Sequence, residues 1–233
     1  MNFKTRSYQA ELLDNEDIPI DDLYQNLREL NFINRTLGGH SVVLDGIKYF
    51  VNSILNENLR IYEIGSGGGD NLRAVGSFLS KKKISYQLGG VDLKEDCVKF
   101  AESYHSNSSK INYQIADYQL ATFSDGKPHI IFNSLFCHHF RDEALVTMLQ
   151  WMHQNSQVGF IIADLHRHQL AYYAIKCLTQ LFSKSYLVKN DAPLSVLRGF
   201  SRKEWEVLFA KAGIENYKIQ WKWAFRWLIL VEK

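Results

Sequence analysis

The stretch Arg60-Ile61-Tyr62-Glu63-Ile64-Gly65-Ser66-Gly67-Gly68-Gly69-Asp70 decides how the rest of the chain is read. Its first half is a short buried strand, with Ile61 and Ile64 giving a core side and Glu63 a carboxylate near the end. Its second half is a glycine-rich turn that opens a helix. Gly65, Gly67 and Gly69 let the backbone bend sharply and leave no Cβ in the way of a ligand. A loop of this kind, at the carboxyl edge of a parallel sheet, is where α/β folds bind nucleotide-like molecules. The dinucleotide spacing G-x-G-x-x-G fails in both registers, its third glycine falling on Asp70 or on Leu72. The phosphate loop G-x-x-x-x-G-K-[ST] is absent too.

Downstream of the loop, strands and helices alternate. Asn71 to Ser80 reads as a helix, and Ser85 to Asp92 as the second strand. Asp92 lies roughly 20 residues beyond the loop, where an acidic side chain accepts hydrogen bonds from a ribose diol. Leu93 then offers an apolar surface to a base. Glu95 or Asp96 starts a helix to about His105, and Lys110 to Ala116 is the third strand, followed by Asp117-Tyr118. Pro128 to Leu135 is the fourth strand, Asp142 to about His153 a helix, and Gln157 to Asp164 the fifth strand. A helix reaches about Phe182, and a polar stretch follows at Lys189 to Ala192. Ser201 caps a helix that Gly213 ends, and Ile214 to Trp221 pairs with Ala224 to Val231 through a turn at Lys222-Trp223. Upstream, Asp21 or Asp22 caps a helix carrying Leu23, Leu27 and Leu30, which Gly38-Gly39 breaks. His40 to about Leu55 forms a second, burying Val43, Ile47 and Phe50. The expected fold is α/β: an open seven-stranded sheet whose last pair is an antiparallel hairpin, helices on both faces, and an N-terminal helical appendage. The appendage is 1–57 and the sheet domain 58–233, in one compact unit.

At 233 residues the chain has room for one domain with a sizeable core. A net charge of +2 gives no electrostatic argument for nucleic acid or an anionic membrane. Cys97, Cys137 and Cys177 are far apart and odd in number, which argues against a disulfide framework or zinc site and suits a reducing cytosol. Asn2 to Glu16 is polar and shows no signal peptide, and apolar runs such as Trp227 to Val231 are too short to span a bilayer. A soluble cytoplasmic protein is expected, of undetermined oligomeric state.

The pattern E-x-G-x-G-x-G at Glu63 to Gly69 resembles the first motif of class I S-adenosylmethionine-dependent methyltransferases. The run His129-Ile130-Ile131-Phe132-Asn133, continuing into Ser134-Leu135-Phe136-Cys137-His138-His139-Phe140, resembles the fourth motif of that superfamily. Together these motifs cover about Arg60 to Asp164. The resemblance implies a Rossmann-like sheet, S-adenosylmethionine as cofactor and S-adenosylhomocysteine as product. It implies a cofactor site built from Glu63, Gly65, Ser66, Gly67, Gly69 and Asn71 around the loop, with Asp92 and Leu93 beyond. Asp117 would bind the adenine amino group, with Tyr118 beside it, and Ser134 would lie next to the methionine moiety. Arg35 is either part of a solvated helix face or the guanidinium that reaches the methionine carboxylate, in which case the N-terminal helices close as a lid. Asn31 to Gly39, the Leu-Ala-Tyr-Tyr segment and Phe225-Arg226-Trp227 are similar to small bacterial methyltransferases of phenolic and lipid metabolism.

Methyl transfer from a sulfonium needs alignment and, for a weak nucleophile such as a phenol, a base. His139 is the first candidate for base or positioning group and His138 the second; the competing reading is a packed loop histidine. An extended segment would point the two rings opposite ways. Asp164, His166 and His168 have a spacing that could bind metal, but at a helix start they diverge and Asp164 becomes an N-cap. Metal-dependent catechol methyltransferases place an aspartate at the end of the fourth strand, where this chain has Asn133-Ser134, so no metal is expected. Tyr172, Tyr173, Phe182, Phe200, Trp221, Trp223, Phe225 and Trp227 supply rings for a core and for a pocket suited to a flat or lipid-like acceptor. The expected function is methylation of a small aromatic or polyketide-derived acceptor at oxygen. The alternatives are C- or N-methylation of another metabolite, or a non-catalytic cofactor-binding subunit.

Overall fold

The computed structural model describes residues 1–15, 17–52, 54, 58–104 and 111–233. Seven strands make one mixed sheet: β1 (Leu59–Ile64), β2 (Tyr86–Asp92), β3 (Ile111–Ile115), β4 (Ile130–Ser134), β5 (Gly159–Leu165), β6 (Tyr217–Lys222) and β7 (Arg226–Glu232). Their order is β3-β2-β1-β4-β5-β7-β6, with β7 antiparallel to both β5 and β6. The first five strands are parallel, so crossover connections rather than tight hairpins join them; all are helical except the one from β3 to β4, a loop with a short 3-10 turn at Tyr118–Leu120. The chain leaves β1 toward β2 and returns to the other side at β4. The carboxyl ends of β1 and β4 therefore flank the crevice where such sheets bind ligands.

Among the described residues, eight α-helices clothe the sheet: α1 (Ile20–Thr36), α2 (Gly39–Val51), α3 (Asp70–Lys81), α4 (Glu95–Ser103), α5 (Asp142–Asn155), α6 (Gln169–Phe182), α7 (Tyr186–Arg198) and α8 (Arg202–Ala212). Strand residues alternate between two cores, as the pleat requires. Tyr62, Ile64, Phe160, Ile162, Trp227 and Ile229 face α5 and α8. Leu59, Ile61, Ile161, Ala163, Leu228 and Leu230 face α2 and α3. α2 precedes the sheet in sequence yet packs directly on it through Val43, Ile47 and Phe50. His40 near its start bonds Asp70 through Nε2 at 2.7 Å, which ties α2 to the end of the glycine loop.

Several boundaries differ from the sequence reading. α1 begins at Ile20 with Pro19 as its cap residue, and Asp21 and Asp22 sit in its first turn, favourable to the helix dipole. Asp164 does not cap a helix; it belongs to β5, and the cap of α6 is His168, which accepts from the Leu170 amide. The polar stretch at Lys189 to Ala192 lies inside α7, which continues past Pro193 because Val188, Leu194, Val196 and Leu197 are buried. The final turn is Trp223 to Phe225, one residue later than expected. The expected helix ends at Leu55 and His105, the strand start at Lys110 and residue 57 of the expected boundary lie outside the described residues.

Residues 1–15 cross the carboxyl edge of the sheet as a strap. The Ser7 amide donates to the Leu197 carbonyl at 3.0 Å, and Arg6 donates to the carbonyls of Arg198 and Phe140 and to Asp142. The amides of Leu12 and Leu13 both donate to the Asp191 carboxylate on α7, at 2.8 and 2.9 Å. Strap, α1, α6 and α7 thus form a layer above the crevice. No described helix is long and apolar enough to cross a membrane.

Candidate active site

A cavity of about 410 Å³ opens at the ends of β1, β2 and β4, between the glycine loop below and the strap and α1 above. Glu63, next to last in β1, is fully buried, and Asn71 Nδ2 donates to its Oε1 at 2.9 Å. Burial pushes the Glu63 carboxyl well above its ordinary range, and the charges of Asp70 and Asp92 push the same way. Asp92 ends β2 and accepts from two backbone amides, Gly67 to Oδ2 at 2.7 Å and Lys94 to Oδ1 at 2.9 Å. Burial raises its carboxyl and the two amides oppose that rise. Asp117 accepts from the Gln119 amide at 2.8 Å and sits exposed at the rim. Leu93 is 71% exposed beside it, an apolar surface in search of a partner.

The residues fit the cofactor that the motifs imply. Glu63 Oε2, Ser66 Oγ and Asn71 Oδ1 are buried without a hydrogen-bond partner, and all three residues line the cavity. Buried polar atoms are normally paired, so this wall is built for a polar ligand. The cavity then changes character toward Leu93, Val91 and Phe136, which are apolar and suit a base.

Of the expected residues, Glu63, Gly65, Ser66, Gly67, Asn71, Asp92, Leu93, Asp117, Tyr118 and Ser134 all line this cavity. Gly69 does not. It caps α3 at φ +71°, and a Cβ there would stand 2.0 Å from the Tyr113 hydroxyl, so its role is to let the chain turn close to β3. Arg35 does not line the cavity either. It points to solvent, because one residue along a helix is a rotation of about 100°. Asn34, its neighbour, is buried and faces inward, and lies so near Gly39 that a Cβ there would be 2.8 Å from Asn34 Oδ1.

A second cavity, of about 280 Å³, adjoins the first under α6 and α7. The two share Leu13, Leu30, Asn34, Leu135 and His139 in their walls. Its lining is mostly aliphatic, with Ile33, Leu37, Leu165, Ile175 and Val196. Of the eight aromatic residues considered for this pocket, Trp223 and Phe225 reach it, while Tyr172, Phe200 and Trp227 are core and Tyr173, Phe182 and Trp221 are exposed.

At the seam the chain makes a short 3-10 turn, Cys137–His139, rather than an extended segment. The two imidazoles therefore lie side by side, ring centres 4.4 Å apart, instead of pointing opposite ways. His138 Nδ1 meets Asp164 Oδ1 at 2.8 Å, and His139 Nδ1 meets Asp14 Oδ1 at 3.0 Å. The Nε2 atoms face Glu11 from 3.6 and 3.9 Å. Burial pushes the Asp164 carboxyl up, but the His138 ring, the Leu165 amide and His139 together outweigh it and the net shift is downward. Burial raises Glu11, and His139, Ser195 and Arg198 only partly offset that. Glu11 and Asp14 had no signal in the sequence: they lie in a polar N-terminal stretch, far in sequence from the histidines they meet.

Residues 61–182 match the family described as "Methyltransferase domain", more than half of the chain. No curated protein sequence matches the chain. Among solved structures, the plantazolicin methyltransferase BpumL in complex with a triazolic desmethylPZN analog and SAH is similar over 92% of this chain and 98% of its own, at 13% identity and TM-score 0.67. A SAM-dependent methyltransferase from Aquifex aeolicus is similar over 90% and 97%, at 13% identity and TM-score 0.61. Human N-acetylserotonin methyltransferase in complex with SAM is similar over 92% of this chain but 56% of its own length, at 16% identity and TM-score 0.62. At such identities the likeness is one of fold. Family match, sheet order and the cavity at the glycine loop agree: the chain belongs to the methyltransferase-domain family and is a class I S-adenosylmethionine-dependent methyltransferase.

Proposed function

We propose that this methyltransferase acts on an oxygen of a small, largely apolar or aromatic acceptor held in the second cavity. The observation that carries this reading is a pair of unpartnered buried donors in an otherwise aliphatic wall. Asn26 Nδ2 and Arg226 Nε have no hydrogen-bond partner, and both residues line that cavity. Burial pulls the Arg226 guanidinium down to about 10, partly restored by Asp164, which still leaves it a cation at neutral pH. Donors without acceptors call for a ligand with oxygen atoms, and the aliphatic wall for one with an apolar body.

The cofactor is held by Glu63, Ser66, Asn71 and Asp92 around the loop, with Leu93 and Asp117 at the far end. When bound, S-adenosylmethionine supplies an electrophilic methyl group on its sulfonium. Ser134 ends β4 at the first cavity, Leu135 just after it lies where the two cavities meet, and there His139 is the titratable group common to both walls. With Nδ1 held by Asp14, the ring keeps Nε2 toward the acceptor, where it can position a hydroxyl or take its proton. Strap and α1 cover the seam from the side opposite β4. The assignment to oxygen is tested by offering a phenol, the matching aniline and the matching carbon nucleophile, and identifying the methylated product by NMR. An O-methyl product is expected. An N- or C-methyl product with the phenol untouched would replace this reading.

A further inference from the structure

We propose that Glu11, His138 and His139 bind one divalent transition-metal cation of the zinc class at the seam between the two cavities. The site itself stands on its own geometry; its role in catalysis rests on the oxygen-acceptor reading above. Each of the three residues offers one ligand atom, and these atoms all lie within 4.8 Å of one another. Ligand atoms around a cation with bonds of about 2.0–2.2 Å sit roughly 3–4 Å apart, so a small inward movement closes the set.

The surrounding hydrogen bonds aim the ligands. Both Nδ1 atoms are held by carboxylates, His138 by Asp164 and His139 by Asp14. This is the outer-sphere arrangement that fixes a metal-binding imidazole and raises its basicity. It leaves both Nε2 atoms converging on Glu11, at 3.6 and 3.9 Å. Those distances are too long for N–H···O hydrogen bonds. The two Nε2 atoms and the Glu11 carboxylate, whose Oε1 also accepts from Ser195 Oγ at 2.8 Å, converge on one gap in which a cation would make three bonds. Three carboxylates, Glu11, Asp14 and Asp164, surround the two rings, while Arg198 is the guanidinium in ion-pair contact with Glu11 and Asp14. Two imidazoles and one carboxylate suit borderline cations such as zinc, iron, cobalt or nickel better than magnesium or calcium. Three protein ligands leave a further position open. All three residues line the second cavity, so that position faces the acceptor. With the cation bound, His139 Nε2 would serve as a ligand rather than as the base, and the metal would supply the activation instead: a hydroxyl at the open position would be more acidic, its O–H bond breaking with the electron pair left on oxygen and the proton passing to solvent water.

The test uses the full chain, stripped with a chelator and titrated with cobalt(II) chloride while visible absorption is followed. One equivalent is expected to bind with ligand-field bands that zinc(II) abolishes by displacement. Glu11→Gln and His138→Gln should each lose the bands, and Asp14→Asn should weaken binding roughly 10- to 100-fold. Calorimetry with S-adenosylhomocysteine checks that Glu11→Gln and His138→Gln remain folded, since neither residue lines the first cavity. No saturable bands in the wild type, or equal cobalt binding in Glu11→Gln, overturns the site. Methyl transfer to a phenol is measured in the same stripped and reloaded samples. Loss on stripping and return on reloading supports the catalytic role, and unchanged transfer overturns it. Cobalt binding with no transfer to any oxygen acceptor would sink the acceptor reading and leave the site standing.

Discussion

Asp92 engages both of its carboxylate oxygens with backbone amides, Gly67 and Lys94, and so fastens the glycine loop to the end of β2. Asp92→Ala should weaken S-adenosylhomocysteine binding by about 1–3 kcal/mol, through lost charge-assisted hydrogen bonds and a slackened loop. Calorimetry reads this directly, and an unchanged affinity would remove Asp92 from the site. Glu63 makes a prediction about pH. Its folded carboxyl is held well above its ordinary value of 4.5, so the folded chain keeps a proton that the unfolded chain releases. Cofactor-free stability should therefore fall as pH rises from 4.5 through the folded value, and Glu63→Gln should flatten that slope. Urea midpoints across that range, for both proteins, decide it. At the seam, His139→Ala should lower turnover roughly a hundredfold or more while affinity for S-adenosylhomocysteine stays near wild type. A fully active variant would leave the ring a packing role only.

Among the elements, α2 carries a clear stability prediction. Ile47 is fully buried between α2 and the sheet, in the same core as Ile61, Ile161 and Leu228. Ile47→Ala should cost about 2–5 kcal/mol of unfolding free energy, as for any large-to-small change in a well-packed core. A loss of a few tenths would mean that α2 rides loosely on the sheet. The elements of the sheet were legible in the sequence because each strand carries its own short apolar run and each turn its own glycine or acidic residue. The glycine loop, Asp92, Asp117 and the end of β4 come together around one cavity. What was not legible depends on partners distant in the chain. α7 hides behind Asp191 and Pro193, and Asp191 is polar because it receives the amides of Leu12 and Leu13. Arg35 takes the solvated-face alternative for a simpler reason: the inward face of α1 runs through Leu27, Leu30 and Asn34, one residue short of it.

In the whole molecule, the sheet supplies one cavity and the helical layer the other, and they meet where β4 ends. The strap matters most here. It brings Glu11 and Asp14 across the carboxyl edge to His138 and His139, and Lys94 beside Asp92 donates to its Asn15 carbonyl at 2.8 Å. Composition and hydrophobic period cannot announce such a contact, since nothing local in a polar N-terminal stretch records what it will touch. The division of labour between the cavities can be tested at Ala192, which lines the second cavity and not the first. The decisive measurement is methyl transfer from radiolabelled S-adenosylmethionine to a panel of apolar phenols, counted in the organic extract, for wild type and Ala192→Phe, with S-adenosylhomocysteine affinity measured for both. Label in the extract with the wild type, sharply reduced in Ala192→Phe at equal affinity, is the predicted result. Equal labelling by the two proteins, or no transfer by a wild type that binds S-adenosylhomocysteine, would contradict it.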